Sequence, residues 1–292
     1  MRMFSPSRLL PLLAAFCVAN ANSGDAYVQI PGGTFKSALS YDDIKAASNQ
    51  TLAKSALLTG KTVTPGLVRV RPFKLMTRPV TNAEFLLFVH QNATWQRDQI
   101  PTVFAESRYL AHWATGLSLG SHAMPEQPVV NVSWFAASAY CESTGARLPN
   151  WIEWEYAAAA DETRADARSD PAWRARILGW YSKPSNQALA TVGETPANLF
   201  GVQDLHGLVW EWPGDYAAML VSSDNRAQNE QDRLKFCGAG AIAMDDRENY
   251  AVLMRIAMLS SLAAQNVTSN MGFRCARDVS IATLLNHTGD KK

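Results

Sequence analysis

Alternation of apolar and polar residues predicts two short strands early in the chain. Residues 27–30 alternate and run into a turn made of a proline and two glycines, which is typical of a strand end. Residues 67–73 alternate apolar with basic side chains, and this pattern predicts a second, half-buried strand. The stretch between them, residues 37–66, has weak periodicity and many small polar residues, so we expect an irregular insertion there.

A capping signal predicts the start of the first helix. Thr81 and Glu84 have the spacing of a capping box, in which each side chain accepts a hydrogen bond from the other residue's backbone N–H. Phe85, Phe88 and Val89 then share one helical face, which we expect to be buried.

Two further helices are predicted in the middle of the chain. One begins at Ser133 and stops at Gly145, since glycine best tolerates the left-handed conformation that follows a helix end. The other begins at Asn150, with a glutamate three residues later, and runs to Ala160. Residues 161–176 are rich in Asp, Arg and Ala, and we interpret them as a solvated face and not as a site.

The bulk composition limits the classes of partner. The chain has 292 residues, 47% of them hydrophobic, which suffices for one large domain and by length alone would permit two. The net charge is +1 and Lys and Arg are spread along the chain, so nucleic acid is not expected as a partner. The 17 Gly, 14 Pro and nine Trp indicate much irregular backbone held together by aromatic packing.

The first 21 residues have the pattern of a secretory signal peptide. A basic start precedes an apolar run at residues 9–19 and an Ala-x-Ala cleavage site that ends at Ala21. The apolar run is shorter than the roughly 20 residues that span a bilayer, and no second candidate span follows. We therefore expect export to the periplasm and a mature protein without a membrane span. A buried N-terminal helix is the alternative.

Export changes the interpretation of the cysteines. Cys17 leaves with the signal peptide, whereas Cys141, Cys237 and Cys275 remain. An odd number of cysteines in an oxidising compartment implies one disulfide and one free thiol, or an intermolecular bond. Three separated cysteines without neighbouring His or Cys ligands do not form a zinc site.

Six sequence blocks, in their usual order, resemble the formylglycine-generating enzyme (sulfatase-modifying factor) family. The resemblance covers residues 27–278, and the shared order makes it far more specific than any single block. The blocks are residues 30–35 (IPGGTF), 128–134 (PVVNVSW), 146–149 (ARLP), 153–158 (EWEYAA), 207–212 (GLVWEW) and 270–276 (NMGFRCA).

The resemblance implies a single α+β domain with a C-type-lectin-like fold and little regular secondary structure. On this interpretation residues 1–21 are the signal peptide, residues 22–278 the domain and residues 279–292 a C-terminal tail. In the vertebrate members that this chain resembles, cysteines at the positions of Cys141 and Cys275 form a structural disulfide. Two buried free thiols are the alternative.

The block at residues 207–212 resembles a family segment that binds calcium through main-chain carbonyls and a Glu carboxylate. Such an oxygen donor set suits a hard cation. Leu208 stands where the family has Asn, and the segment that forms a second calcium site in the family is not found. The alternative is that the glutamate caps a buried turn and that both tryptophans of the block are core residues. The predicted ligands are the carboxylate of Glu211 and the carbonyls of His206, Gly207 and Val209.

The copper site of the family is missing from this chain. The family pattern places two cysteines shortly after a Gly-Gly-Ser sequence, and their thiolates bind Cu(I), a soft metal. In an alignment on residues 272–274, Ala241 takes the serine position, Met244 the first cysteine position and Asn249 the second. Because a bis-thiolate copper site cannot form there, neither copper at this place nor formylglycine generation is expected.

The residues that replace the copper site form a polar candidate groove. Its thiol, thioethers and carboxylates could hold a soft metal or contact a different substrate. The alternative is a solvated acidic turn followed by a core strand. The candidate groove residues are Cys237, Met244, Asp245, Asp246, Arg247, Glu248 and Asn249, with Trp212 beside them.

Exported family members without these cysteines accompany copper nitrite reductases or mature pyoverdine-type siderophores. Residues 205–212 and 235–241 are most similar to the first kind. We therefore expect an accessory or maturation factor for a periplasmic redox enzyme. The alternatives are an oxidoreductase that finishes a secreted peptide natural product and a non-catalytic, lectin-like binding module.

Overall fold

The computed structural model describes residues 26–37, 67–182, 187–216, 255, 258, 259 and 261–279. The predicted signal peptide lies outside these residues, as do most of the predicted insertion and of the C-terminal tail. The strands are β1 (Tyr27–Ile30), β2 (Gly33–Lys36), β3 (Leu67–Val70), β4 (Phe73–Met76), β5 (Trp210–Glu211), β6 (Met271–Gly272) and β7 (Ala276–Asp278). The α-helices are α1 (Asn82–Gln91), α2 (Trp134–Ser143), α3 (Trp151–Ala158) and α4 (Pro171–Tyr181), with a 3₁₀ turn at Ala93–Trp95.

The described strands pair across long stretches of sequence. β4 lies between β1 and β7 in an antiparallel sheet, and β2 pairs antiparallel with β3. β5 and β6 pair in parallel, with Glu211 opposite Gly272. A Cβ atom at Gly272 would lie 2.7 Å from the carbonyl oxygen of Val129, so this close approach of two backbones requires glycine. None of the described helices combines the length and apolarity needed to cross a bilayer.

The predicted helix starts are confirmed. Thr81 and Asn150 are N-caps, and each forms a complete capping box with the glutamate three residues later. The Ser133 hydroxyl accepts a hydrogen bond from the third backbone N–H of α2. These caps satisfy N–H groups that would otherwise lack partners at the helix ends.

The prediction of one strand over residues 67–73 is wrong, because the chain forms two strands there. The break falls at Arg71 and Pro72, and proline has no N–H to continue a ladder. On either side of the break, β3 pairs with β2 whereas β4 pairs with β1 and β7. The alternation of apolar and basic residues over 67–73 therefore continues from a strand of one sheet, β3, into a strand of another, β4.

An aromatic cluster joins the elements into one core. The ring of Phe85 in α1 lies 5.3–6.2 Å, between centroids, from the rings of Phe88, Trp113, Tyr140 and Phe273. All five side chains are buried. Because they come from α1, α2, a loop and the C-terminal segment, they support the predicted single α+β domain with much irregular backbone.

A disulfide joins Cys141 of α2 to Cys275, next to β7. Both cysteines are fully buried, and their Cα atoms lie 5.5 Å apart. This is the pairing that the family resemblance implies. Beside it, Arg147 and Ala276 exchange two backbone hydrogen bonds of 2.9 and 2.6 Å. The covalent bond and this bridge together fix the end of α2 to the last strand.

Candidate functional site

The predicted groove lies almost entirely outside the described residues. Cys237 and residues 244–249 belong to a segment that the structure does not describe. Of the predicted groove residues, Trp212 lies in the described part of the chain. The indole N–H of Trp212 donates to the carbonyl of Val132 at 3.0 Å, and its ring contacts Tyr216. Trp212 is fully buried, so it serves as a core residue and does not form an open wall.

Glu211 forms a buried ion pair with Arg274. Arg274 donates to both carboxylate oxygens, with N–O distances of 2.8–3.1 Å. The indole N–H of Trp154 donates to one of the same oxygens at 2.8 Å. The single Nε–H of Arg274 is shared between the two oxygens, so three N–H groups in all bond the carboxylate.

A second arginine approaches the same residue from the backbone side. Arg255 donates to the carbonyl oxygen of Glu211 at 2.6 Å, and its guanidinium lies 3.6 Å from the ring centroid of Trp154. Arg255 is almost completely buried, and this burial lowers the pKa of its guanidinium to about 10. Such a value keeps the group charged at neutral pH, and the indole face stabilises that charge.

These contacts bear on the predicted calcium site. The charge of the Glu211 carboxylate is already compensated by Arg274, and three N–H groups, two of Arg274 and one of Trp154, are directed at its oxygens. No group of three or more His, Cys, Asp or Glu side chains within the described ranges is arranged to hold a metal ion. The residues of this turn therefore do not fit calcium through Glu211, and no step proposed below uses one. The neighbouring carbonyls of Gly207 and Val209 stay a prediction.

The main-chain carbonyl of His206 stays a predicted calcium ligand, whereas its side chain lies between aromatic rings. Its Nε2 atom lies 2.9 Å from the carbonyl oxygen of Ala158, so Nε2 carries the proton and Nδ1 is the acceptor. Trp154 and Trp173 contact the imidazole edge-on, at centroid distances of 5.7 and 5.5 Å. Nδ1 is buried and has no hydrogen-bond partner among the residues that the structure describes. Burial lowers the pKa of His206 to about 4, so the ring is neutral at pH 7.

His112 is a second partly buried, neutral histidine. It lies between Asn82 and Asn131, with ring nitrogens 3.3 and 3.2 Å from their side-chain amides. Burial lowers its pKa to about 4. Both histidines therefore resist protonation in the folded state.

Acid is expected to destabilise the protein through His112 and His206. Their pKa lies below the ordinary value of about 6.5, so between pH 4 and 6.5 the unfolded state binds more protons and unfolding becomes easier as pH falls. We expect a loss on the order of 1–2 kcal/mol for each histidine between pH 7 and pH 5. Urea unfolding at the two pH values measures this loss. The double variant His112→Gln, His206→Gln should lose most of the pH dependence, and an unchanged dependence would contradict the assignment.

A cavity of about 490 Å³ lies between α4 and the loops that carry His206. Apolar side chains of Trp173, Ile177 and Trp180 line the side formed by α4. Three acidic residues outside this helix also line the cavity, namely Asp161, Glu162 and Asp204.

The interpretation of residues 161–176 as a solvated face is wrong for Asp161, Ala167 and Trp173, which are all buried. Asp161 is only 6% exposed, and Oδ1 accepts hydrogen bonds from the backbone N–H groups of Thr163 and Arg164. The Arg164 guanidinium also bonds this carboxylate, and these hydrogen bonds hold the pKa of Asp161 well below its usual range. The acid thus shapes a turn at the cavity wall.

Sequence reasoning also missed the polar residues just before the block at 207–212. Asn198 donates to the carbonyl of Ala157 and accepts from the N–H groups of Phe200 and Val202, so it builds the turn beside the cavity. Asp204 has a φ of 59°, in the left-handed region that Asp and Asn tolerate better than most residues. The sequence signal for both residues was the group of Gly, Pro, Asn and Asp between positions 193 and 204, since these residue types favour turns.

Three half-buried aromatic rings lie next to the cavity. Trp180 and Tyr181 at the end of α4 contact each other and Trp210 of β5, at centroid distances of 4.7–5.4 Å. The three rings attach α4 to β5 and so position the cavity wall.

Comparison with known proteins gives a consistent match along the chain. A model of the Sulfatase-modifying factor enzyme 1-like domain matches residues 14–279. The formylglycine-generating enzyme of Streptomyces coelicolor is 26% identical over 313 residues, covering 91% of this chain and 93% of that protein. The inactive C-alpha-formylglycine-generating enzyme 2 of Mus musculus is 27% identical over 245 residues, covering 72% and 76%. Among solved structures, PvdO from Pseudomonas aeruginosa covers 87% of this chain and 94% of its own, with 17% identity and a TM-score of 0.42.

Proposed function

Because this chain belongs to the sulfatase-modifying factor enzyme 1-like domain family, we propose that it is a member without formylglycine-generating activity. The observation that carries this proposal is the presence of Met244 and Asn249 at the two positions of the copper-binding cysteines. A thioether and an amide cannot supply the two thiolates that Cu(I) requires there. Membership alone does not decide the activity, since the relatives include one protein named as a generator and one named as inactive.

We further propose that the protein acts as a periplasmic accessory or maturation factor for a redox enzyme of the copper nitrite reductase type. The similarity of residues 205–212 and 235–241 to such accessory proteins supports the partner class, and the signal-like residues 1–21 support export. The buried disulfide between Cys141 and Cys275 and the enclosed Glu211 ion pair support a rigid scaffold for binding a partner. The lectin-like binding module remains the second candidate, and the cavity beside α4 favours it.

The first test concerns the lost activity. Incubation of the purified mature protein with a sulfatase-type Cys-x-Pro-x-Arg peptide, Cu(I) and oxygen should leave the cysteine unchanged, because Met244 and Asn249 cannot form the copper site. Mass spectrometry of the peptide measures the aldehyde product. The Streptomyces coelicolor relative serves as the positive control. An aldehyde that depends on this protein would overturn the proposal.

The second test concerns the accessory role. A copper nitrite reductase produced in the same periplasm should contain less copper and show lower specific activity when this protein is deleted. The variants Cys237→Ala and Arg247→Ala should reproduce the deletion if the groove segment is used, whereas the exposed substitution Leu87→Ala should not. Equal copper content and activity with and without the protein would exclude this partner class and leave the binding module.

A further inference from the structure

Exposed cations follow the outer face of β2 and β3. Phe35 of β2 and Val70 of β3 are buried in the core. Successive side chains of a strand point to opposite faces, so the neighbouring Lys36 and Arg69 lie on the outer face, and both are exposed. Arg71 comes directly after β3 and is exposed as well. Three cations therefore follow one another along the outer side of this sheet.

The neighbouring sheet adds two more cations. Lys74 of β4 is exposed and lies directly opposite Arg277 of β7. The Arg277 guanidinium lies 4.3 Å from the ring centroid of Tyr27 and donates to the carbonyl of Thr144. The inner faces of both sheets belong to the same core cluster, so their outer faces both turn away from it. Together these cations form a basic ribbon that consists of Lys36, Arg69, Arg71, Lys74 and Arg277.

The cations of the basic ribbon lack acidic partners. In the part of the chain that the structure describes, no Asp or Glu forms an ion pair with any of them. Asp278, which follows Arg277, pairs with Arg147 instead. Arginines elsewhere on the surface have a glutamate partner, for example Arg108 and Arg176. The ribbon therefore presents positive charge that no described acid compensates.

Like charges meet directly on the ribbon. Lys74 and Arg277 occupy opposite positions on adjacent strands, where like charges destabilise a sheet. Charges on an edge strand can serve to keep foreign strands from pairing with that edge. Lys74 does not have this role, because β4 is the central strand of its sheet, with β1 on one side and β7 on the other. An anion bound across the two cations would relieve their repulsion.

The spacing of the cations matches an extended acidic peptide. Residues two apart on one face of a strand are separated by roughly 7 Å, and the row from Leu67, opposite Lys36, to Lys74 is at most about 23 Å long. A small anion such as phosphate can contact only one or two charges at this spacing. An extended peptide with carboxylates at alternate positions repeats at the same interval. We infer that the basic ribbon binds an extended acidic segment of a partner protein.

Other polyanions fit this face less well. Single-stranded nucleic acid binds on exposed aromatic rings, and the ring beside the row, Tyr27, already has the Arg277 guanidinium over its face. A surface that binds membranes combines cations with several large apolar side chains. Along β2 and β3, Leu67 is the large apolar side chain that is fully open to solvent. The inference concerns the chemistry of the partner's surface, so it applies to either of the two proposed roles.

Titration of the purified mature protein with synthetic peptides tests this inference. The probe is an octapeptide of alternating Glu and Thr that carries a neutral fluorophore, and anisotropy at an ionic strength of about 0.01 M measures its binding. A peptide of the same composition with its glutamates in adjacent pairs places half of them on each face when extended, and it should bind about fivefold more weakly. Equal affinity of the two peptides would overturn the inference. Tighter binding of phosphatidylglycerol vesicles or of single-stranded oligothymidine than of the alternating peptide, at equal charge concentration, would overturn it as well.

Paired substitutions make the test specific to the basic ribbon. The double variant Arg69→Gln, Lys74→Gln should weaken binding of the alternating peptide about fivefold, because it removes two exposed cations from the row. The control Arg108→Gln, Arg176→Gln removes the same charge from exposed positions outside the ribbon and should bind as the parent does. Size-exclusion chromatography shows whether either variant aggregates, which is the effect expected if the cations only protected strand edges. Equal weakening in both double variants, or aggregation of the ribbon variant with unchanged affinity of its monomer, would contradict the proposal.

Discussion

Replacing Arg274 with methionine is expected to lower the free energy of unfolding by about 3–5 kcal/mol, because it leaves the buried Glu211 carboxylate without its cation. Both side chains are fully buried, with a closest N–O distance of 2.8 Å. Arg274 also donates to the backbone carbonyls of Met76 and Gln203, at 3.1 and 2.9 Å, and these acceptors would lose their donor as well. Urea unfolding followed by tryptophan fluorescence measures the change.

An exposed arginine provides the matched control. Arg108 pairs with Glu106 at 3.5 Å, but its side chain is 70% exposed, so Arg108→Met should cost at most about 1 kcal/mol. The double variant Glu211→Gln, Arg274→Met should lose less than the sum of the two single losses, since it no longer contains an uncompensated charge. If Arg274→Met costs no more than Arg108→Met, the buried ion pair is not a major source of stability.

This ion pair joins residues from separate blocks of the family resemblance. Glu211, Arg274 and Trp154 lie in three different blocks of the family resemblance, and they meet in one buried cluster. A fourth block contributes Val129, whose carbonyl approaches Gly272 so closely that only glycine fits. These blocks therefore contribute buried contacts to the interior of the fold.

Local signals in the sequence correctly predicted the starts of three helices and the position of the first strand. The capping residues Thr81, Ser133 and Asn150 fix helix starts through hydrogen bonds to nearby backbone groups, so a few neighbouring residues suffice to identify them. The strand at residues 27–30 was equally clear from alternation and its turn. The resemblance, and not composition, supplied the α+β fold class and the partners Cys141 and Cys275.

Contacts between distant residues could not be predicted in the same way. A glutamate among tryptophans suits a calcium ligand as well as an ion pair, and the choice depends on Arg274, which lies 63 residues away. Asp161 belongs to a charged run that resembles a solvated surface, yet the turn made by Arg164 and the packing of α4 bury it. The cavity has no linear signature, because its walls come from separate loops and one helix.

Removing the disulfide with Cys141→Ala and Cys275→Ala is expected to lower the free energy of unfolding by about 5 kcal/mol, the value that the chain-entropy model assigns to a closed loop of this length. The bond joins residues 134 positions apart and therefore restricts a large part of the unfolded chain. Alanine at either site also leaves space in a fully buried region, which adds to the loss. Urea unfolding of parent and variant, under oxidising conditions, gives the difference.

The third cysteine of the mature chain separates the effect of this bond from general thiol chemistry. Cys237 is predicted to be free, so Cys237→Ser should unfold at the parent's urea concentration and should still lose stability when a reductant is added. The variant that lacks Cys141 and Cys275 should not respond to the reductant, because the bond that the reductant breaks is already gone. Non-reducing peptide mapping of periplasmic protein should recover one linked pair, Cys141 with Cys275. A linked peptide that contains Cys237, or a reductant response in the double variant, would show that a different pairing stabilises the fold.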